Sequence, residues 1–155
     1  MKNPYNLARR NLWNSNTRIK ASELFMARGD WADSVRECRE AIDFALKALL
    51  HAIESEVPKF QDLGALLIQK KDHFPPDFSV DWDRVSRIAG TLVATQDVST
   101  FGGNDFMTFG EESVLASSPA QTKEDAVHLL DDVRYLASLG EEILRLGKAP
   151  SKHSR

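Results

Sequence analysis

The sequence predicts an all-helical fold, an antiparallel up-and-down bundle of four or five helices in one domain. Apolar residues recur at steps of three and four from Trp31 to Ile53, which is the spacing of one buried helix face. Three long stretches contain no proline, a residue that costs about 3 kcal/mol inside a helix. No segment alternates apolar and polar residues as a half-buried strand would.

The proline-free stretches place the helices along the chain. The first helix is expected from about Tyr5 to Arg28, although its middle, Asn14–Thr17, consists of weak helix formers that could break or fray it. The remaining helices are expected at about Trp31–Glu54, at about Gln61–Lys71, from near Val80–Asp83, and from Thr122 onward.

Particular residues are predicted to begin and end these helices. Gly29 suits the end of the first helix, and Asp30 is expected to cap the second by accepting a backbone N–H. Thr122, with Asp125 three residues later, predicts a capping box at the last helix. We expect a loop over residues 101–121, a disordered tail over 148–155, and one domain over 1–147.

Length, charge and cysteine content narrow the class of protein. The 155 residues suit a single domain, and the net charge of −3 indicates no general polyanion binder. The single cysteine, Cys38, lies in the apolar stripe and is expected to be buried, so no disulfide can form within the chain. We find no signal-peptide pattern and no run long enough to span a bilayer, and we expect no membrane association and a cytoplasmic location.

The charges are unevenly distributed along the chain. Residues 1–20 contain five basic side chains and no acid, whereas residues 111–142 contain eight acids against two basic side chains. Two interpretations remain open. The two segments are solvated helix faces that attract each other or a second subunit. Alternatively, the first helix is a basic patch for phosphates, with Tyr5 and Trp13 available for stacking.

A polar stripe on the second helix supplies candidate ligand-binding residues. It comprises Arg36, Glu40, Asp43, Lys47, His51 and Glu54. Asp43 before Lys47 is the favourable i,i+4 order, worth about 0.2–0.5 kcal/mol. The stripe is either a solvated face or a site in which Lys47 and His51 bind a phosphate in a groove between protomers. In that site His51 would add a charge that titrates near pH 6.5.

A second cationic cluster lies near the start of the fourth helix. Arg84 and Arg87, with Lys71, could bind an anion at this helix N-terminus. Asp81 and Asp83 already occupy the first turn, however, which favours structural ion pairs.

Other chemistries find little support in the sequence. His128 and Asp132 share a helix face, but two ligands do not form a metal site, and no HExxH or Cys–His cluster accompanies them. No glycine-flanked serine elbow and no phosphate-binding glycine loop is present. We therefore predict neither a metal nor a cofactor.

Four segments, in this order, resemble the HEPN (higher eukaryote and prokaryote nucleotide-binding) domain family. They are Gly29–Trp31, Glu40–Leu50, Pro58–Leu63 and Thr122–Ala126. The resemblance covers about residues 21–146. It implies an antiparallel four-helix bundle that commonly dimerises. The family includes ribonuclease toxins, partners of nucleotidyltransferases in toxin–antitoxin pairs, and inactive or nucleotide-binding versions.

The chain departs from the ribonuclease members of this family. They carry an arginine, four to six residues and then a histidine, and none of the four histidines here is preceded by arginine at that spacing. Asp43 and Gln61 stand where glutamate and histidine are usual. We therefore expect a non-catalytic homodimer or nucleotidyltransferase partner that binds nucleotide or RNA. The predicted ligand-binding residues are Lys47, His51, Arg84 and Arg87.

Two alternatives stay open at this point. The first is a divergent ribonuclease, in which Arg134 and His51 from separate helices supply the phosphate-stabilising cation and the general base. The second is a structural homodimer without a small ligand.

Overall fold

A computed structural model describes residues 3–59, 62–92 and 121–148. These residues form five α-helices and no strand, which confirms the all-helical class. A short 3₁₀ turn, Lys71–His73, follows the third helix. The helices are α1 (Pro4–Ala27), α2 (Trp31–Ala52), α3 (Leu63–Gln69), α4 (82–92) and α5 (Lys123–Lys148). The predicted loop at 101–121, except residue 121, and residues 149–155 of the predicted tail lie outside the described residues.

Contacts between the helices establish the up-and-down arrangement. Ser15 of α1 hydrogen-bonds to Ala41 of α2, and Ser22 hydrogen-bonds to Ser34, so α1 and α2 run antiparallel. The Asp81 N–H, just before α4, donates to the Tyr135 hydroxyl of α5, and Arg84 pairs with Asp132, so α4 and α5 also run antiparallel. Glu23 of α1 pairs with Arg134 and Leu12 lies against Gly140, so α1 and α5 are antiparallel as well. Helices α1, α2, α4 and α5 therefore alternate in direction as an antiparallel four-helix bundle, as predicted.

Helix α2 lies at the centre of the core. The predicted stripe is buried from Val35 to Leu49, with Trp31 and Ile53 half-buried at its ends. Burial extends beyond the stripe to Ala41, Ala48 and Leu50, because α1, α3 and α5 all contact this helix. Cys38 is fully buried, as expected, and burial raises the pKa of its thiol.

Helix α1 continues without a break through Asn14–Thr17. Ser15 is fully buried, and its hydroxyl donates to the Ala41 carbonyl oxygen at 2.8 Å. The Thr17 hydroxyl donates to the Trp13 carbonyl oxygen one turn earlier at 3.0 Å. The possible interruption is therefore not present, because these weak helix formers gain hydrogen-bond partners, one of them on a neighbouring helix.

Helices α1 and α2 end in the same hydrogen-bond pattern. The Gly29 N–H donates to Met26 and the Asp30 N–H to Phe25, with Gly29 at φ +77°. This is a Schellman motif, and it confirms Gly29 as the end of α1.

The Asp30 carboxylate does not cap α2, so that prediction was wrong. It lies 3.5 Å from the Arg28 guanidinium instead.

At the end of α2, the position that corresponds to Gly29 is occupied by Glu54, at φ 60°. Its N–H donates to His51, and that of Ser55 donates to Leu50. A non-glycine residue in this left-handed conformation costs about 1–2 kcal/mol.

We expect Glu54→Gly to raise the free energy of unfolding by about 0.5–1 kcal/mol. The substitution removes the left-handed strain, and the greater freedom of glycine in the unfolded chain offsets part of the gain. Urea unfolding measures the change. The matched substitution Gly29→Ala should lower stability by a similar amount. A loss of stability in Glu54→Gly would contradict this account.

Side chains cap the three later helices. The Asp62 carboxylate accepts from the N–H groups of Gly64 and Ala65, at 3.0 and 3.1 Å. The Asp81 carboxylate accepts from the N–H of Arg84 at 3.1 Å. Thr122 and Asp125 bond reciprocally, which confirms the predicted capping box, and the Thr122 backbone N–H lowers the pKa of Asp125.

Candidate anion-binding cavity and ion-pair network

A cavity of about 480 Å³ lies beside α2 and is rich in cationic side chains. Helix α2 contributes side chains at steps of four, which brings Arg39, Asp43 and Lys47 onto one face together with Phe44. The remaining lining residues are Arg18, Glu40, Lys59 and Leu92. The volume is in the range of small-ligand sites.

Two of the cavity's cations are already paired within the chain. The Lys47 ammonium lies 2.7 Å from the Asp43 carboxylate, so the predicted i,i+4 pair is present. The Arg18 guanidinium lies 3.2 Å from Glu37 and 3.1 Å from Glu40. These contacts position the two cations at the cavity wall but leave less of their charge for a ligand.

The other two cations have no anionic partner among the described residues. The Arg39 Nε is buried and makes no hydrogen bond within the described ranges. The exposed Lys59 forms no ion pair there either. A buried donor without an acceptor is uncommon, because it has lost its water without gaining a partner.

Sequence reasoning missed Arg39. The predicted polar stripe included Glu40, Asp43 and Lys47, which line the cavity, but it left out Arg39, although positions 39, 43 and 47 are four residues apart on one face. The step of four between these three residues was the available indication. This spacing indicated a cation-rich site only after the structure showed that Arg18 and Lys59 line the same cavity.

His51 lies one turn beyond Lys47 on α2 and does not line the cavity. Its imidazole is half-buried. Burial lowers the pKa of His51, and the nearby positive charge of Lys47 lowers it further. The structure therefore places one of the two predicted residues at the cavity wall and the other next to it.

We expect Lys47→Met to raise the pKa of His51 toward 6.5, because the substitution removes a nearby positive charge. NMR titration of the imidazole measures this value, and the remote Lys20→Met is the control. An anion bound at Lys47 should act in the same direction. A pKa that does not change in Lys47→Met would contradict the assigned cause.

The lowered pKa of His51 also determines how the free energy of unfolding changes with pH. The unfolded state takes up the His51 proton at a higher pH than the folded state does. Above about pH 6.5 His51 is neutral in both states, and the free energy of unfolding keeps its full value. It decreases as the pH falls from there toward the lowered pKa of the folded protein.

Arg84 and Arg87 of α4 do not line the cavity; both approach the carboxylate of Asp132 on α5. The distances are 3.6 Å from Arg84 and 3.7 Å from Arg87, and His128 lies 3.6 Å from the same carboxylate. The Asp132 side chain is only 3% exposed. The arginines and the His128–Asp132 pair were predicted as separate features, and the structure joins them in one network.

Aromatic contacts also hold α4 against α5. The Arg84 guanidinium lies 4.2 Å from the centre of the Tyr135 ring, and the Tyr135 hydroxyl accepts from the Asp81 N–H at 2.9 Å. Arg84 thus pairs with both a carboxylate and an aromatic face. Lys71, the third predicted member of the cluster, is exposed in the 3₁₀ turn.

Arg134 and His51 do not meet within one chain. Arg134 forms an ion pair with Glu23 at 2.9 Å, and its charge acts on the pKa of Cys38. His51 follows Cys38 by thirteen residues on α2, which corresponds to about 20 Å along the helix. The Glu23–Arg134 pair also joins an acid of α1 to a base of α5, the reverse of the predicted charge attraction.

The described residues show two further properties. No three His, Cys, Asp or Glu side chains within them come together as a potential metal site. None of their helices combines the length and the apolar character needed to cross a membrane.

Comparison with known proteins identifies a family. The family model described as HEPN domain matches residues 8–143, which is most of the chain. No curated protein and no solved structure gives a significant match. The matched range includes α2, the cavity face and the Asp132 network.

Proposed function

The chain belongs to the HEPN domain family, whose superfamily is nucleotide-binding or ribonuclease-like, and we propose that it is a non-catalytic member that binds nucleotide or RNA through phosphate groups. The proposed site is the cavity beside α2. Dimerisation, and partnership with a nucleotidyltransferase in a toxin–antitoxin pair, stay predictions from the family resemblance.

The observation that carries this proposal is that Arg39 lines the cavity and has no anionic partner among the described residues. A phosphate oxygen would accept a charge-assisted hydrogen bond from the guanidinium, and arginine matches phosphate geometry well. Four cationic side chains and two carboxylates line the cavity, which leaves a surplus of two positive charges. Phe44 adds an aromatic ring to the same wall.

We propose a non-catalytic protein because the candidate catalytic side chains, Arg134 and His51, lie apart in the bundle. The arginine–histidine motif of the family's ribonucleases is absent from the sequence. Arg134 is engaged with Glu23 and lies far along the bundle from His51. General acid–base catalysis requires both groups within reach of one phosphate.

We expect Arg39→Ala to weaken ATP binding by about tenfold or more, because hydrogen bonds to charged groups contribute about 1.5–3 kcal/mol. Titration calorimetry at low salt measures the affinity, and tripolyphosphate in place of ATP separates the contribution of phosphate from that of the base. Arg36→Ala is the matched control, since Arg36 is on the same helix, exposed and paired with Asp33 at 2.8 Å.

Three results would overturn the proposal. The wild-type protein could fail to bind both ATP and RNA, or Arg36→Ala and Arg39→Ala could weaken binding equally. Alternatively, the purified protein could cut RNA. If Arg134→Ala or His51→Ala then abolished cleavage, the divergent ribonuclease would be the correct assignment.

A further inference from the structure

The exposed side of α1 carries an aromatic and cationic surface that is separate from the α2 cavity. We refer to the residues Asn6, Arg9, Arg10, Trp13, Asn16 and Lys20 as the α1 face. We propose that the α1 face binds single-stranded nucleic acid, with Trp13 stacking on a base. This proposal does not depend on ligand binding in the α2 cavity.

Trp13 is the central residue of this surface. Trp13 is 74% exposed, which is unusual for so large an apolar residue. It borders a shallow cavity of about 370 Å³, whose other walls include Arg9, Arg10 and the amides of Asn6 and Asn16. An indole held at the rim of such a cavity offers a free ring face to a planar ligand.

The charge around Trp13 is almost entirely positive. The sequence contains no acid before Glu23, and within the described residues neither Arg10 nor Lys20 has an ion pair. Arg9 lies 5.9 Å from the Tyr5 ring centre, which leaves its charge unneutralised. From α5, Glu141 lines a neighbouring cavity with Arg9 and is the acid that faces this surface.

This combination of groups matches single-stranded nucleic acid. Unpaired bases stack on aromatic side chains, arginine and lysine neutralise the backbone phosphates, and amides hydrogen-bond to base edges. Paired bases within a duplex would not present a free face to Trp13. A lipid surface fits less well, because Asn6 and Asn16 would have to lose water next to the indole.

A second copy of the chain is the main competing occupant, because α5 is acidic. Most of the acids on α5 are already used within the chain, however. Asp125 bonds to Thr122 in the capping box, Asp131 lies 4.0 Å from Arg134, Asp132 is buried among its three partners, and Glu142 pairs with Arg145. Charge complementarity with another α5 would therefore rest on Glu124 and Glu141, which is a weak basis for docking.

The fluorescence of Trp13 tests the proposal directly. Titration of the full chain with a short oligouridylate at low salt should quench the tryptophan emission. Trp13→Ala should remove most of this quenching and weaken binding, measured by anisotropy of a labelled oligouridylate, by at least about fivefold, since stacking on an aromatic side chain is worth roughly 1–3 kcal/mol per base. Arg10→Ala should reduce the salt slope of binding by about one phosphate contact.

Two variants make the result specific. Leu24→Ala is the matched control, because Leu24 is 69% exposed on α1 but does not border the Trp13 cavity, and it should bind as the wild type does. Arg39→Ala should weaken ATP binding and leave the oligouridylate quenching unchanged. The α1 face and the α2 cavity can therefore fail independently.

Other outcomes would overturn the proposal. Absence of quenching in the wild type, or equal losses in Trp13→Ala and Leu24→Ala, would remove Trp13 as a stacking platform. Sedimentation without nucleic acid provides a further test. A dimer that dissociates in Trp13→Ala would assign the α1 face to a second copy of the chain instead.

Discussion

Gly64→Ala is expected to lower the free energy of unfolding by about 3 kcal/mol. Gly64 is buried in α3 directly against Ala89 of α4, and a Cβ added at Gly64 would overlap with the Ala89 methyl carbon. Both residues lie on helices, so accommodating the new carbon requires the two helices to move apart. Inserting a carbon into a well-packed core typically costs about 1–3 kcal/mol, and this case lies at the upper end because the Ala89 methyl carbon is fixed to its backbone and cannot rotate away. Urea unfolding measures the loss.

A second substitution identifies the cause. In the background of Gly64→Ala, Ala89→Gly should recover much of the lost stability, although Ala89→Gly alone should cost about 1 kcal/mol as a helical glycine. Gly90→Ala is the matched control on α4. It meets no atom within 4 Å and should be neutral or stabilising by up to about 1 kcal/mol. If Ala89→Gly gave no recovery, the close approach of α3 and α4 would not explain the loss.

The fold was predictable because several independent features of the sequence indicate the same helices. The α2 stripe alone specifies a helix, its buried face and its central position, and the prolines and caps mark the other elements. The incorrect predictions concern positions where one side-chain contact determines the local structure. Asp30 was expected to cap α2, but it pairs with Arg28. Asn14–Thr17 looked weak because the partner of Ser15 lies on another helix.

The candidate site was less predictable for the same physical reason. Helical periodicity shows which residues share a face, but it does not show which charges from other helices meet that face. Lys47, which was predicted to bind a phosphate in a groove between protomers, lines a cavity within one chain, whereas Arg39 was identified only from the cavity lining and its unpartnered Nε. Arg84 and Arg87 lie near the start of the fourth helix, where they were predicted. Nothing in the sequence showed that Asp132 is buried between α4 and α5.

Asp132→Ala is expected to lower the free energy of unfolding by about 1–3 kcal/mol. Removing one partner of a buried ion pair can cost 3–5 kcal/mol, because the remaining charge is left uncompensated. The loss should be smaller here, since Arg84 is 32% exposed and Arg87 is 54% exposed, so both can regain water. The neighbouring Asp131→Ala is the control. Asp131 is 65% exposed, and its removal should change stability by no more than about 0.5 kcal/mol.

The same substitutions separate a structural role for Arg84 from a ligand-binding one. If Asp132 holds α4 against α5 through Arg84, the effects of Arg84→Met and Asp132→Ala on stability should be strongly non-additive, and ATP affinity should not change in Arg84→Met. If Arg84 instead binds a ligand, Arg84→Met should weaken ATP binding while Asp132→Ala, by freeing its charge, strengthens it. Opposite signs for these two affinities would therefore assign Arg84 to the ligand. Equal losses of stability with unchanged affinity would assign it to the α4–α5 contact.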